Sequence, residues 1–184
     1  MRIAVDLDDV LADLISHLLV VHHEVTGVTL TREQAKNWDM FPPEVHDRVR
    51  YGGGYAMLDS LPGAPEFLQW LKQRHHVFIV TYRGEHARKV TQEWLSRHVY
   101  GMYDEVYFTG GSKVETCREL GVELIIDDSY SQIPAVTSQL RIPGILMDTP
   151  MNQHIQETEL IKRAKTLREA RQIVRQLQET RARG

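Results

Sequence analysis

The 184-residue sequence holds one cysteine, Cys117, and has no apolar run of membrane-spanning length, no internal repeat and no low-complexity segment. A single thiol excludes an internal disulfide framework and suits a reducing compartment. The missing apolar run excludes a helical transmembrane segment. Met1 leads directly into a strand signal, so no signal peptide is expected and the expected compartment is cytoplasmic. Several catalytic signatures are also missing. There is no G-x-S-x-G elbow for a serine nucleophile. Gly110-Gly111-Ser112-Lys113 has the wrong order for a Walker phosphate loop, which needs Gly-Lys followed by Ser or Thr. The adjacent pairs His22-His23 and His75-His76 point in different directions on a helix and make poor chelates. All nine histidines are read as non-catalytic.

What is present is ordinary in bulk: 42% hydrophobic, 26% charged and a net charge of −3. That composition fits one domain with a real core and room for a small insertion. The charge is uneven. Residues 160–184 carry eight Lys/Arg against two Glu, a local +6, which leaves −9 for the rest. No aromatic residue is interleaved there to stack on bases, so no stable nucleic-acid complex is expected, nor a membrane partner. Leu160, Ala164, Leu167, Ala170, Val174 and Leu177 follow helical spacing and predict one helix over about 158–181, docked by its apolar face.

The rest alternates strand and helix. Strand signals lie at 2–6, 77–81, 104–108, 123–127 and 144–148. Helix signals lie at about 12–25, 64–74, 85–98, 112–120 and 131–139. Pro65 suits a first helical turn and Gly121 a helix stop. Short, continuously apolar strands separated by helices predict an α/β fold whose parallel sheet is covered on both faces. Residues 26–62 break the rhythm with two weak helix signals, about 31–37 and 43–51. They also hold Trp38, Phe41, Tyr51, Tyr55 and the run Gly52–Gly54. A connection this long reads as a lid or binding element, or as a peripheral helical subdomain with a small core of its own.

The first strand, Ile3-Ala4-Val5, runs into Asp6, Asp8 and Asp9. Carboxylates at the mouth of a buried strand repel one another and resist desolvation, and a cation among them relieves both costs. Oxygen-only ligands point to Mg²⁺. In parallel sheets, ligands sit beyond the carboxyl ends of the strands where strand order reverses. Those ends deliver Asp6 and Asp8, then Thr81 with Tyr82 and Arg83, then Asp127 and Asp128, and Lys113 stands near a helix start. Converging carboxylates, a hydroxyl and an ammonium are what Mg²⁺-assisted phosphoryl chemistry requires. Each also has a plainer reading. Thr81 would serve as a helix N-cap, Lys113 as a solvated charge, and Asp127-Asp128 as the cap of the following helix.

This set, in this order, resembles the haloacid dehalogenase (HAD) superfamily of phosphatases. The D-x-D-x-[TV]-[LV] motif is matched by Asp6-Leu7-Asp8-Asp9-Val10-Leu11, the strand-ending Ser/Thr by Thr81, the motif lysine by Lys113, and the acidic pair by Asp127-Asp128. Asp8–Asp13, Leu61–Glu66, Thr81-Tyr82-Arg83 and Thr91–Leu95 are similar to the 5'(3')-deoxyribonucleotidase branch of 5'-nucleotidases. The resemblance implies a HAD-like Rossmann fold, with a core of residues 1–13 and 63–184 and a small helical cap at 14–62. It implies a cytoplasmic, Mg²⁺-dependent phosphomonoesterase for nucleoside monophosphates.

The resemblance also assigns roles. Asp6 is the nucleophile that forms an aspartyl-phosphate, and Asp8 the general acid and base. Asp6, Asp127 and the Asp8 backbone carbonyl hold Mg²⁺, with Asp128 behind them. Thr81, Tyr82 and Lys113 bind the phosphate. Trp38, Phe41, Tyr51 and Tyr55 are the cap candidates for the substrate. The family often has Gly where this chain has Asp9, which puts a side chain beside the phosphate. Two other readings remain open: the same chemistry on a sugar phosphate, and a catalytically silent module that binds nucleotide or protein. A homodimer is compatible with everything above.

Overall fold

The computed structural model describes residues 1–183. Among them, six parallel strands form one sheet: β1 (Arg2–Val5), β2 (His76–Thr81), β3 (Glu105–Phe108), β4 (Leu124–Asp127), β5 (Gly144–Met147) and β6 (Ile161–Ala164). The spatial order is β3-β2-β1-β4-β5-β6, so strand order reverses beside β1. The helices are α1 (Leu14–Thr26), α2 (Pro43–Arg50), α3 (Ala64–Lys72), α4 (Arg88–His98), α5 (Val114–Glu119), α6 (Gln132–Leu140) and α7 (Leu167–Arg183).

Period-2 alternation divides the strands between two cores. Ile3, Val5, Val77, Ile79, Leu124 and Ile126 face one core with α1, α3, α4 and α7. Ala4, Phe78, Val80, Ile125 and Leu146 face the other with α5 and α6. Burial on both faces explains why the strands read as unbroken apolar runs. At Gly144 a Cβ would meet Thr137 Cγ2 at 2.6 Å, so α6 sits against β5 at a distance only glycine allows.

The expected helix over 158–181 is corrected at its start. Ile161–Ala164 is an edge strand, paired with β5 from Gly144↔Ile161 to Met147↔Ala164. Leu160 and Ala164 merely coincide with the helical spacing that Leu167, Ala170, Val174 and Leu177 obey. The true start is marked by Thr166-Leu-Arg-Glu169, where the Thr166 hydroxyl accepts from Glu169 N at 3.2 Å.

Segment 14–62 leaves and rejoins the sheet through paired stems. Asp13 N donates to Asp59 O and Leu61 N to Leu11 O. It contains α1, α2 and 3₁₀ turns at Arg32–Gln34, Trp38–Met40 and Gly54–Met57, so the weak helix signal at 31–37 shrinks to the one short turn Arg32–Gln34, with the next turn just past it. The glycine run packs on α2. A Cβ on Gly52 would meet Arg48 O at 2.7 Å, and one on Gly54 would meet Val49 Cα at 2.5 Å. In this arrangement the three glycines form a tight structural turn.

Candidate active site

Adjacent strand ends carry the acidic floor. Asp6 continues β1 and donates its backbone N–H to Ile126 O at 2.9 Å, which ties it to β4, whose last residue is Asp127. Lys113 reaches between them from the start of α5. Its ammonium lies 2.6 Å from Asp6 Oδ1 and 2.6 Å from Asp127 Oδ2. All three are buried. The Lys113 backbone N–H donates to Gln132 Oε1 at 2.9 Å, and Asp127 Oδ1 accepts from Ser129 N at 2.8 Å. The lysine is therefore held from α6 and the carboxylate by the turn that follows it.

Oxygens of Asp6, Asp127 and Asp128 lie within 4.8 Å of one another. The Lys113 contact to Asp6 Oδ1 is ionic in distance but off the hydrogen-bond direction, so that oxygen lacks an aligned donor. Burial, with Asp127 and Asp8 nearby and against the opposing pull of Lys113, pushes Asp6 up to about 7. Burial and the Asp9 charge also raise Asp128 well above the usual range. A hard cation suits this donor set, since oxygen ligands that resist ionisation alone accept it beside Mg²⁺.

Arg83 stood among the strand-end residues in the sequence, but with no role assigned to it. It is buried and grips Asp8 with a fork, Nε to Oδ2 at 2.9 Å and Nη2 to Oδ1 at 2.6 Å. Its Nη1 donates to Thr91 on α4 at 2.9 Å, and its guanidinium carbon sits 3.7 Å from the centre of the Tyr55 ring. Arg83 thus joins Asp8, α4 and segment 14–62. The signal was the Thr81-Tyr82-Arg83 run, which shows an arginine near a strand end but not the carboxylate 75 residues away that it meets.

The remaining site candidates are placed unevenly. Thr81 is fully buried at the end of β2, where its hydroxyl accepts from Arg83 N at 3.2 Å. Tyr82 is half exposed and lines the cleft over the floor, which has a volume of about 670 Å³. Trp38, Tyr51 and Tyr55 line that cleft as well. Phe41 does not. It is buried edge-on against His22 and His46, where segment 14–62 joins the main core. Tyr51 meets His86 with ring centres 5.0 Å apart, and His46, His86 and Arg50 also border the cleft. No sequence pattern singled out those three.

Asp9 has φ +54°, a conformation that aspartate tolerates better than most residues. Its carboxylate turns toward α1, accepting from Ile15 N at 3.0 Å with Arg32 at 3.3 Å. Arg32 also pairs with Asp13 at 2.7 Å. The Asp9 side chain thus anchors segment 14–62 to the turn after β1.

A carboxylate floor bridged by lysine, at the reversal point of a parallel sheet and under a helical insert, defines a hydrolase of the HAD fold. Solved structures agree on that fold. A HAD family hydrolase from Deinococcus radiodurans R1, solved with phosphate and sodium, superposes with a TM-score of 0.65 at 16% identity, covering 94% of each chain. YfnB from Bacillus subtilis, bound to magnesium, superposes at 0.62 and 14% identity over 94% of this chain and 97% of that one. The chain belongs to the family described as 5' nucleotidase, deoxy (pyrimidine), cytosolic type C, whose profile matches residues 1–181. It is a phosphoric monoester hydrolase of nucleotidase type. The relative named "Putative nucleotidase BH1399" from Halalkalibacterium halodurans is 23% identical over 164 residues, 83% of this chain and 82% of that protein. Among the described residues no helix is long and apolar enough to cross a membrane.

Proposed function

We propose that the protein is a cytoplasmic, Mg²⁺-dependent 5'-nucleotidase that cleaves (deoxy)ribonucleoside monophosphates through an aspartyl-phosphate on Asp6. The observation that carries this reading is the Lys113 ammonium held 2.6 Å from both Asp6 and Asp127 on the floor of the cleft. Burial opposes that charge, but the Asp127 and Asp6 carboxylates outweigh it and hold the Lys113 ammonium above the ordinary lysine range, so it stays protonated.

An Asp6 oxygen attacks phosphorus as the bond to the ester oxygen breaks. Asp8 delivers a proton to the departing alcohol, then takes one from the water that hydrolyses the aspartyl-phosphate and regenerates Asp6. Arg83 engages both Asp8 oxygens, and each keeps a further lone pair that can carry the transferred proton. Lys113 balances charge on the nucleophile and the phosphoryl oxygens. The Thr81 hydroxyl accepts from Arg83 N and retains its own proton to donate to a phosphoryl oxygen. When bound by the Asp6 and Asp127 carboxylates and the Asp8 backbone carbonyl, with Asp128 in support, Mg²⁺ supplies the positive charge that lets one anion approach another.

Segment 14–62 acts as the cap. Its Trp38 and Tyr51 line the cleft and give a nucleobase, which a sugar phosphate lacks, aromatic surface to stack on. The Tyr55 ring is instead buried with its face under Arg83. The deciding experiment is phosphate release, with Mg²⁺ and with chelator, across 5'- and 3'-nucleotides, their deoxy forms and sugar phosphates. Preference for 5'-nucleotides, abolished by chelator, is expected. Faster turnover of sugar phosphates would overturn the substrate assignment, and turnover in chelator would overturn the metal.

A further inference from the structure

At the amino edge of the sheet, α3 and α7 come together around Trp70, a ring only 5% exposed. Three guanidinium carbons surround that ring, Arg171 at 4.7 Å, Arg74 at 5.5 Å and Arg175 at 5.6 Å from its centre. Among the described residues none of the three forms an ion pair with a carboxylate. Arg74 instead donates to Trp70 O and Gln73 Oε1. Two buried donors in the cluster, Trp70 Nε1 and Arg171 Nε, have no acceptor. Beside them opens a cleft of about 520 Å³ lined by Trp70, Arg74, Arg175, Gln178, Glu179 and Ala182.

A cation–π contact rewards each arginine singly, but three like charges around one ring repel one another. Buried N–H groups left unpaired add a desolvation cost. Desolvation and the Arg175 and Arg74 charges lower Arg171 from the ordinary arginine range. Among the described residues Glu179 is the one carboxylate on the cleft wall, against Arg74 and Arg175. An oxyanion in the cleft would offset the repulsion between the arginines, and the Arg74 and Arg175 guanidinium forks on its wall match phosphate geometry. The basic C-terminal segment lacks an aromatic partner in sequence, and folding brings it Trp70 from about a hundred residues away.

We propose that this cleft is a second anion site that binds a phosphate group, either inorganic phosphate or the phosphate of a nucleoside monophosphate. It lies away from the carboxylate floor. Arg74 adjoins His75, whose ring nitrogen is 3.4 Å from the Met1 amine at the start of β1, whereas Asp6 lies beyond the end of that strand. The two clefts share no lining residue. Its occupancy does not depend on the catalytic reading.

The test is calorimetric titration of the full chain with inorganic phosphate, and separately with deoxycytidine monophosphate and deoxycytidine. Chelator is present in every titration, so that the clustered carboxylates oppose an anion at the other cleft, and Mg²⁺ replaces it only in the activity control. Wild type is expected to bind one equivalent of a phosphate-bearing ligand and no deoxycytidine. Arg171→Gln/Arg175→Gln should weaken that binding at least tenfold while hydrolysing a nitrophenyl ester as wild type does. Arg175→Gln alone provides the same comparison if the double variant folds poorly. The tighter of the two phosphate ligands identifies the source. Equal phosphate binding by wild type and the folded variants, or binding only of a single-stranded oligonucleotide, would overturn the proposal.

Discussion

The floor of the cleft and the segment above it are built on different principles. Asp6 and Asp127 sit at strand ends whose positions follow from sheet register, Lys113 reaches them from the start of α5, and all three are nearly sealed from solvent. Segment 14–62 is made of short helices and 3₁₀ turns. It sends Tyr51 out 68% exposed and buries Phe41 to 2%. The floor has little freedom, because moving any member leaves a buried charge unpaired. The segment can exchange side chains at the cleft without disturbing the sheet. The proposed function assigns chemistry to the first region and discrimination between substrates to the second.

Substitutions at the floor should break this division most severely. Asp6→Asn is expected to remove turnover by about 10⁴-fold or more in a protein that still folds, since an amide is a poor nucleophile. Steady-state phosphate release with a circular-dichroism check reads both. Activity within tenfold of wild type would sink the covalent mechanism.

Asp8→Asn should cost about 10²–10⁴-fold for nucleotides and less for a nitrophenyl ester, whose leaving group needs little protonation. Comparing the two losses tests the acid role.

Phe41→Ala should act on the fold rather than the chemistry. Removing a buried phenyl ring costs about 3–5 kcal/mol and lowers Tm, with kcat retained in the folded fraction. A large change in KM without a change in Tm would move Phe41 from the core to the substrate.

Metal should stabilise the floor in a pH-dependent way. Asp6 titrates near 7 in the folded metal-free chain against an ordinary value of 3.8. The folded state therefore holds more protons than the unfolded between those values, and stability falls as pH rises through that window. Mg²⁺ at about 100-fold above its Kd should raise Tm by about 5–10 °C at pH 7.5. The gain should be smaller at pH 5, where protons compete, and scanning calorimetry at both values checks it.

The smallest effect should fall on the exposed rim. Tyr51→Ala is expected to raise KM for nucleoside monophosphates about tenfold, the value of one stacking platform, while leaving a base-free ester unchanged. Equal effects on both substrates would leave the rim aromatic without a role in base recognition.

Much of the core was legible in the linear chain. Buried strands in a parallel sheet must be apolar, so β1, β2, β4 and β5 announce themselves, and their polar ends name Asp6, Thr81 and Asp127 without reference to distance. The edge strand β6 was not legible. Four residues, Ile161–Ala164, are too few to set a period of two against the helical spacing that continues into α7. The Arg83 fork on Asp8, the partition of Phe41 from Tyr51, and the ring of arginines on Trp70 were beyond the sequence for one shared reason. Each depends on which side chain meets a partner far away in the chain, and local pattern is silent about that. The sequence alone determined five of the six strands, the family motifs and the acidic residues at the strand ends, because burial and charge constrain residue type position by position. Only the tertiary structure decided which aromatic faces the cleft and which charge finds a partner, because those outcomes are set by packing between elements.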